Sequence, residues 1–249
     1  ALGLPKSVEA PFVRAFARGL KRVLRRYGVA LGGGDTVRAE KCVISVTLLG
    51  VVGKTPVTRK GAKVGDHIYI SGIPGLSHLG MSLLQRGAGR GRGGSRAERM
   101  AVSRHLRPRV DIDLGCFLGD RGLANAMIDT SDGIFVDLGH VLEYTGAGAT
   151  IDLSEVPVPE GVKTLCLRLG HPWEDAALFG GEDYHLLFTV SPEREKALEK
   201  WPGKNKLYRI GRIERRKGIH VKKRGGEVKL TRRARPFFEH FAAKGNQDH

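Results

Sequence analysis

The chain has 249 residues, 41% hydrophobic and 27% charged, which suits one large globular domain or two small ones. No apolar run approaches the roughly 18 residues that cross a bilayer, and Ala1-Leu2-Gly3-Leu4-Pro5 carries no basic stretch leading into a long apolar one, so no membrane partner and a cytoplasmic, unexported protein are expected. The net charge of +16 points to anionic partners, either nucleic acid held through its phosphates or small phosphorylated substrates drawn in by long-range attraction.

In chain order, Leu2 to Leu4 reads as the end of a strand before Pro5, with Ser7 as a helix cap. From Val8 to Tyr27 the apolar positions Phe12, Val13, Phe16, Leu20, Val23 and Leu24 recur at helical spacing, and Gly28 stops the helix. Val29 to Leu31 is expected as a short buried strand running into Gly32-Gly33-Gly34-Asp35-Thr36, and Cys42 to Val52 is strongly β-prone. A polar link from Thr55 to Asp66 suggests a domain boundary near Asp66, dividing the chain into residues 1–66 and 67–249. His67 to Ser71 resumes as a strand, followed by a helix ending near Leu84.

The run Arg86 to Arg99 is a Gly/Arg loop, more consistent with a solvated surface segment than with a nucleic-acid contact because it is short and flanked by helices. Beyond it come helices from Met100 and from Val110 to Leu123, and a strand Ala126 to Ile128. An amphipathic helix then carries Ile134, Leu138, Val141 and Leu142 on one face. Strands at Ala149 to Leu153 and Tyr184 to Val190 bracket a helical stretch, and Leu207 to Leu230 has the pattern of a hairpin. The three cysteines, Cys42, Cys116 and Cys166, are far apart among apolar neighbours and are expected to be buried thiols. No histidine pair has zinc-ligand spacing.

Three turns at strand ends carry the chemistry, where open α/β sheets place ligands. Gly32-Gly33-Gly34-Asp35 offers unobstructed backbone N–H groups beside a carboxylate, a combination suited to a phosphate and its metal ion, although alone such a motif is more often a tight turn in which the Asp caps its neighbour. At Asp129-Thr130-Ser131-Asp132-Gly133 two carboxylates and a hydroxyl converge at a strand–helix junction. Close carboxylates repel unless a cation lies between them, and magnesium is the hard cation expected near phosphates. The alternative is helix capping by Ser131 or Asp132. Gly180-Gly181-Glu182-Asp183 precedes an apolar strand, where its carboxylates suit a cationic or hydroxyl-bearing substrate group, although as an isolated pattern it is more often a solvated turn.

Taken together, GVALGGGDT (28–36), ISVTLLG (44–50), RKGAKVGD (59–66), RHLRPRV (104–110), AMIDTSDG (126–133), DLGHVLE (137–143) and GGEDYHLLFT (180–189) resemble the thiamine-monophosphate kinases, within the superfamily of aminoimidazole ribonucleotide synthetase. The resemblance spans nearly the whole chain and implies α/β domains with mixed sheets, two per chain, in a homodimer. It implies ATP-dependent conversion of thiamine monophosphate to thiamine diphosphate by direct in-line transfer, with Mg2+ required. It assigns Gly34, Asp35, Arg59 and Ser131 to ATP, Asp35, Asp129 and Asp132 to magnesium, and Glu182 and Phe238 to the thiamine substrate.

Departures accompany it. The family's aspartate-rich N-terminal segment has no counterpart, so a truncated sequence is expected. A usual nucleotide-contacting aromatic is replaced by Ala17, a usual Gly-Asp-Ser reads Gly75-Leu76-Ser77, and a Gly-aromatic-Asp-His-Phe pattern reads Phe237-Phe238-Glu239-His240-Phe241. The rival readings are a relative with another phosphate acceptor or a basic nucleic-acid-binding module. An aromatic share of 6% and the lack of a recognition motif weigh against the latter.

Overall fold

A computed structural model describes residues 1–52, 56–87, 94–224 and 226–228. The chain separates into two compact units, Ala1–Val52 and Gly53–His249. No helix among the described residues is long and apolar enough to cross a membrane.

In the first unit, β1 (Leu2–Leu4) lies between β2 (Thr36–Arg38), to which it is parallel, and β3 (Val43–Ile44), to which it is antiparallel. Helix α1 (Ala10–Tyr27) starts two residues later than its apolar repeat suggests, with Glu9 and not Ser7 at the cap position and Pro11 in the first turn. Its end follows the sequence, since Gly28 takes the left-handed conformation (φ 64°) and the chain closes with Val29 N–H on the Leu24 carbonyl at 2.9 Å.

One expected strand does not form and another is cut short. Val29 to Leu31 has no ladder partner and is exposed, and of the run Cys42 to Val52 only Val43 and Ile44 pair. β3 pairs with β1 only through Leu2 opposite Ile44 and Gly3 opposite Val43, closed by Ser45 N–H on the Ala1 carbonyl at 3.0 Å, so Val46 to Val52 has no residue of β1 opposite it.

The second unit is built on a seven-stranded mixed sheet. Its elements are β4 (His67–Ile70), α2 (Leu76–Gln85), α3 (Arg96–Leu106), α4 (Ile112–Asp120), β5 (Ala126–Asp129), α5 (Ile134–Leu142), β6 (Gly148–Asp152), α6 (Glu160–Leu169), α7 (Trp173–Phe179), β7 (Leu186–Val190), the short α8 (Pro192–Glu195), β8 (Tyr208–Glu214), β9 (Gly218–Lys223) and β10 (Gly226–Glu227). The strand order is β10-β9-β6-β8-β4-β7-β5. The hairpin expected over Leu207 to Leu230 is therefore interrupted: β6 sits between β8 and β9, antiparallel to the first and parallel to the second, and only β9 and β10 pair as chain neighbours.

Alternation along the strands feeds two cores. Ile68, Ile70 and Leu187 point into the larger, with Leu79, Leu138, Leu165, Leu178 and Ile151, while Tyr69, Phe188 and Val190 point into the smaller, with Leu114 and Leu118. Tyr69 and Phe188 are cross-strand partners and their rings stack at 5.5 Å.

The turn ending in Asp66 belongs to this unit. The Asn125 side-chain amide donates to both Asp66 carboxylate oxygens at 3.0 Å, and Ile213 N–H donates to the Asp66 carbonyl at 2.8 Å. The Gly/Arg loop is shorter than its composition suggests, because Ser95 opens α3 with a capping box: its hydroxyl accepts from Glu98 N–H while the Glu98 carboxylate accepts from Ser95 N–H. Residues 88–93 of that loop lie outside the described ones. Cys166 is buried as expected, but Cys42 and Cys116 are exposed; each lies on an outward position of its segment despite apolar neighbours in sequence.

Candidate active site

The Asp-Thr-Ser-Asp-Gly and Gly-Gly-Glu-Asp turns, about fifty residues apart in sequence, are laced together at one end of the sheet because β5 and β7 are adjacent and antiparallel, with Asp129 opposite Leu186. Thr130 is buried at the centre. Its N–H donates to the His185 carbonyl at 2.8 Å, its hydroxyl accepts from His185 N–H at 3.1 Å, and its carbonyl accepts from Tyr184 N–H at 2.9 Å. Glu182 N–H donates to the Ser131 carbonyl at 2.8 Å. Gly181 passes so close that a Cβ there would stand 2.4 Å from the Ser131 carbonyl oxygen.

The lacing imposes unusual backbone. Glu182 (φ 67°) and Tyr184 (φ 53°) both occupy the left-handed region, which non-glycine residues hold only where the surroundings enforce it and which clusters at functional sites.

The lacing also sorts the carboxylates. Asp129, Asp132 and Glu182 are exposed at the same end of the sheet, whereas Asp183 is 1% exposed and faces inward. There it accepts the N–H groups of Gly75 at 2.5 Å and Ser77 at 2.8 Å, capping α2. Burial pushes the Asp183 pKa up against the opposing pull of His185, these two N–H groups and Arg104. Half of the Glu-Asp pair is thus structural.

Asp132 is not a helix cap. The cap position of α5 is Gly133, with no side-chain bond, and Asp132 N–H donates to the Asp137 carboxylate at 3.1 Å. Asp137 is 1% exposed, and burial together with the charges of Asp132 and Asp129 raises its pKa to about 7, against the Asp132 N–H bond and His140. The same cluster acts on Tyr184, whose pKa is raised by burial and by Glu182, Asp129 and Asp132. Four carboxylates, those of Asp129, Asp132, Asp137 and Glu182, therefore share a neighbourhood of concentrated negative potential. Sequence inspection missed Asp137, although it falls on the apolar face of its helix, three residues after Ile134 and four before Val141, where a carboxylate calls for a reason.

Arg59 lies beside the strand that ends at Asp129, since Met127 N–H donates to the Thr58 carbonyl at 2.9 Å. Its guanidinium donates to the Tyr144 hydroxyl at 3.1 Å and rests 5.5 Å from the ring centroid, with Lys60 Nζ at 4.5 Å from the same ring. Ser131 is held through its carbonyl, as above. In the first unit Gly34 and Asp35 are exposed, and Asp35 Oδ1 accepts the N–H of Thr36 at 2.7 Å, the local capping role open to it from sequence. Phe238 lies outside the described residues.

No three His, Cys, Asp or Glu side chains among the described residues converge tightly enough to hold a metal ion unaided. The exposed pair Asp129 and Asp132 still suits a magnesium ion, which is commonly held by one or two carboxylates and completed by phosphate oxygens and water.

Comparison with known proteins identifies the family. Residues 1–52 match the family described as AIR synthase related protein, N-terminal domain, and residues 63–224 the corresponding C-terminal domain. A thiamine-monophosphate kinase of Aquifex aeolicus is 34% identical over 221 residues, covering 89% of this chain and 68% of that protein. One from Escherichia coli K12 is 38% identical over 205 residues, covering 80% of this chain and 59% of that protein. The solved structure of AaThiL complexed with AMPPCP and TMP superposes with a TM-score of 0.71 at 30% identity, covering 90% of this chain and 70% of that one. The chain thus spans about three fifths to two thirds of the length of these curated relatives, and it belongs to the thiamine-monophosphate kinase family of AIR synthase related proteins.

Proposed function

We propose that the protein transfers the γ-phosphoryl group of ATP to the phosphate of thiamine monophosphate, giving thiamine diphosphate and ADP. The observation that carries this is the lacing of the two acidic turns, which presents Asp129, Asp132 and Glu182 together at one end of the sheet. A relative at 30% identity that binds AMPPCP and TMP supports it.

The chemical difficulty is the repulsion between two phosphate anions. An acceptor phosphate oxygen attacks the γ-phosphorus in line while its bond to the β-phosphate oxygen breaks, so positioning and charge compensation matter more than a nucleophilic side chain. Magnesium, when bound, supplies positive charge to the phosphate oxygens, and Asp129 and Asp132 are the residues of the second unit that would hold it. Arg59 and Ser131 are assigned to the nucleotide. Glu182, an exposed carboxylate at the neighbouring turn, attracts the cationic thiazolium end of the acceptor. In the first unit, Gly34 and Asp35 are assigned to ATP, with Asp35 also a magnesium ligand. Phe238 is assigned to stacking on the substrate, and the working form is a homodimer.

The test is to supply the full-length natural protein with MgATP and, in separate reactions, thiamine monophosphate, thiamine and aminoimidazole ribonucleotide, resolving products by chromatography. Equimolar thiamine diphosphate and ADP are expected from thiamine monophosphate alone. ATP consumption only with another acceptor, or with none, would overturn the assignment.

A further inference from the structure

His185 joins the two turns through its backbone, with Glu182 and Tyr184, and its side chain is buried without a hydrogen bond. The imidazole is 2% exposed, and neither ring nitrogen has a hydrogen-bond partner among the described residues. An unmade bond of this kind is costly in a buried group and calls for an explanation in terms of function. The ring lies flat against Gly72, where a Cβ would come within 2.0 Å of it, so no other residue type leaves the imidazole its place.

Two carboxylates act on the ring: buried Asp183, which is engaged by the Gly75 and Ser77 N–H groups, and Asp111. Asp111 Oδ2 is 3.8 Å from His185 Nδ1, too long for a hydrogen bond but short of one by less than about 1 Å. Asp111 is itself held in position, accepting the Ser71 hydroxyl, and Ser71 Oγ in turn accepts Leu186 N–H at 2.9 Å. Burial opposes ionisation of Asp111, but His185, Ser71 and Arg104 outweigh it and hold the carboxyl below its usual range. A carboxylate anchored at the head of α4, an imidazole short of a partner, and the strained segment Glu182–Tyr184 thus form one mechanical chain leading to the exposed Glu182.

We propose that His185 is a positioning residue, which through Nδ1 and the Asp111 carboxylate sets the orientation of the Glu182–Tyr184 turn and thereby the affinity for the phosphate acceptor. This rests on the assignment of Glu182 to the acceptor. Loading of the turn by substrate closes the 3.8 Å gap into a charge-assisted hydrogen bond, so part of the acceptor's binding energy resides behind the site and out of contact with it.

The experiment compares the full-length protein with His185→Phe, His185→Asn, Asp111→Asn and the Phe/Asn double variant at positions 185 and 111. Loss of one charge-assisted bond predicts a KM for thiamine monophosphate raised roughly tenfold in His185→Phe and in Asp111→Asn, with kcat and the KM for ATP within about twofold. The double variant is expected to be no worse than either single one, because both break the same link. His185→Asn places an amide nitrogen near the position of Nδ1 and should recover most of the affinity. If His185→Phe does not fold, Asp111→Asn, which is nearly isosteric, carries the comparison. An unchanged acceptor KM in Asp111→Asn, multiplicative effects in the double variant, or an equal loss in both KM values with a lowered melting temperature would overturn the proposal.

If the parent protein forms no thiamine diphosphate, it is the functional assignment that fails. The link is then judged from the backbone amide resonances of Glu182 and Tyr184: a shared displacement in His185→Phe and Asp111→Asn supports it, and amides unmoved by either substitution refute it.

Discussion

Replacing Asp137 by asparagine tests the electrostatics of the acidic turn without touching its exposed carboxylates Asp129, Asp132 and Glu182. The folded protein holds this carboxyl at a pKa of about 7, whereas an unfolded chain holds it near 3.8. Between roughly pH 4 and pH 7 the folded state therefore binds more protons than the unfolded one, and stability falls as pH rises through that window. A shift of about 3 units corresponds to about 4 kcal/mol when the penalty is complete, above roughly pH 7. Asparagine cannot ionise, and its carbonyl oxygen can still accept the Asp132 N–H that Asp137 accepts at 3.1 Å. Urea unfolding of the parent and Asp137→Asn at pH 4.5, 6 and 8 should then show an advantage for the variant of only about 1 kcal/mol at the lowest pH, growing to about 4 kcal/mol at the highest. All other titrating groups are common to both proteins, so the difference between the curves isolates Asp137. Parallel stability curves across the range would refute the account of this turn as a region of concentrated, partly buried negative charge.

The remaining expectations concern other parts of the molecule. Ser95→Ala removes the hydroxyl that caps α3 and should cost about 1 kcal/mol of stability, measured by denaturant unfolding, with the acceptor KM unchanged. Gly181→Ala puts a Cβ 2.4 Å from the Ser131 carbonyl and should separate the two turns, lowering turnover more than about tenfold while far-UV circular dichroism is retained; normal turnover would mean the lacing is dispensable. Of the three thiols, exposed Cys42 and Cys116 should react rapidly with an aromatic disulfide at pH 8. Buried Cys166, its pKa pushed up to about 11 chiefly by burial, should react only on unfolding.

Much of the second unit was legible in its sequence because its elements are locally determined. The apolar repeat around Ile134, Leu138 and Val141, the alternation in Leu186 to Val190 and the glycine–carboxylate turns each carry their structure in a few neighbouring residues. What could not be read depends on partners remote in sequence. Nothing local says that β6 separates β8 from β9, because strand order is a property of the sheet and not of the strand. The run from Val46 to Val52 is as β-prone as any in the chain, yet a strand needs a partner opposite it, and β3 pairs with β1 only at Val43 and Ile44. Within the site, Glu182 and Asp183 look alike on paper. They separate only because the N-terminus of α2, more than a hundred residues earlier, lies where Asp183 can cap it. Asp137 carried a usable signal, a carboxylate on an apolar helix face. His185 carried none, since its significance lies in the distance to Asp111 and the missing Cβ of Gly72.

We propose that Asp129 and Asp132 serve metal-bound phosphates and not the fold, and the kinase activity of Asp132→Asn against magnesium concentration decides between the two roles. Asp132 caps no helix, and Asn keeps its size and the backbone bond to Asp137, so the melting temperature without ligands should barely move. With one negative ligand lost from a shared magnesium site, thiamine diphosphate formation should fall by a hundredfold or so at low magnesium, with partial recovery as the ion is raised. Normal turnover of the variant at low magnesium, with the parent active in the same assay, would contradict the account.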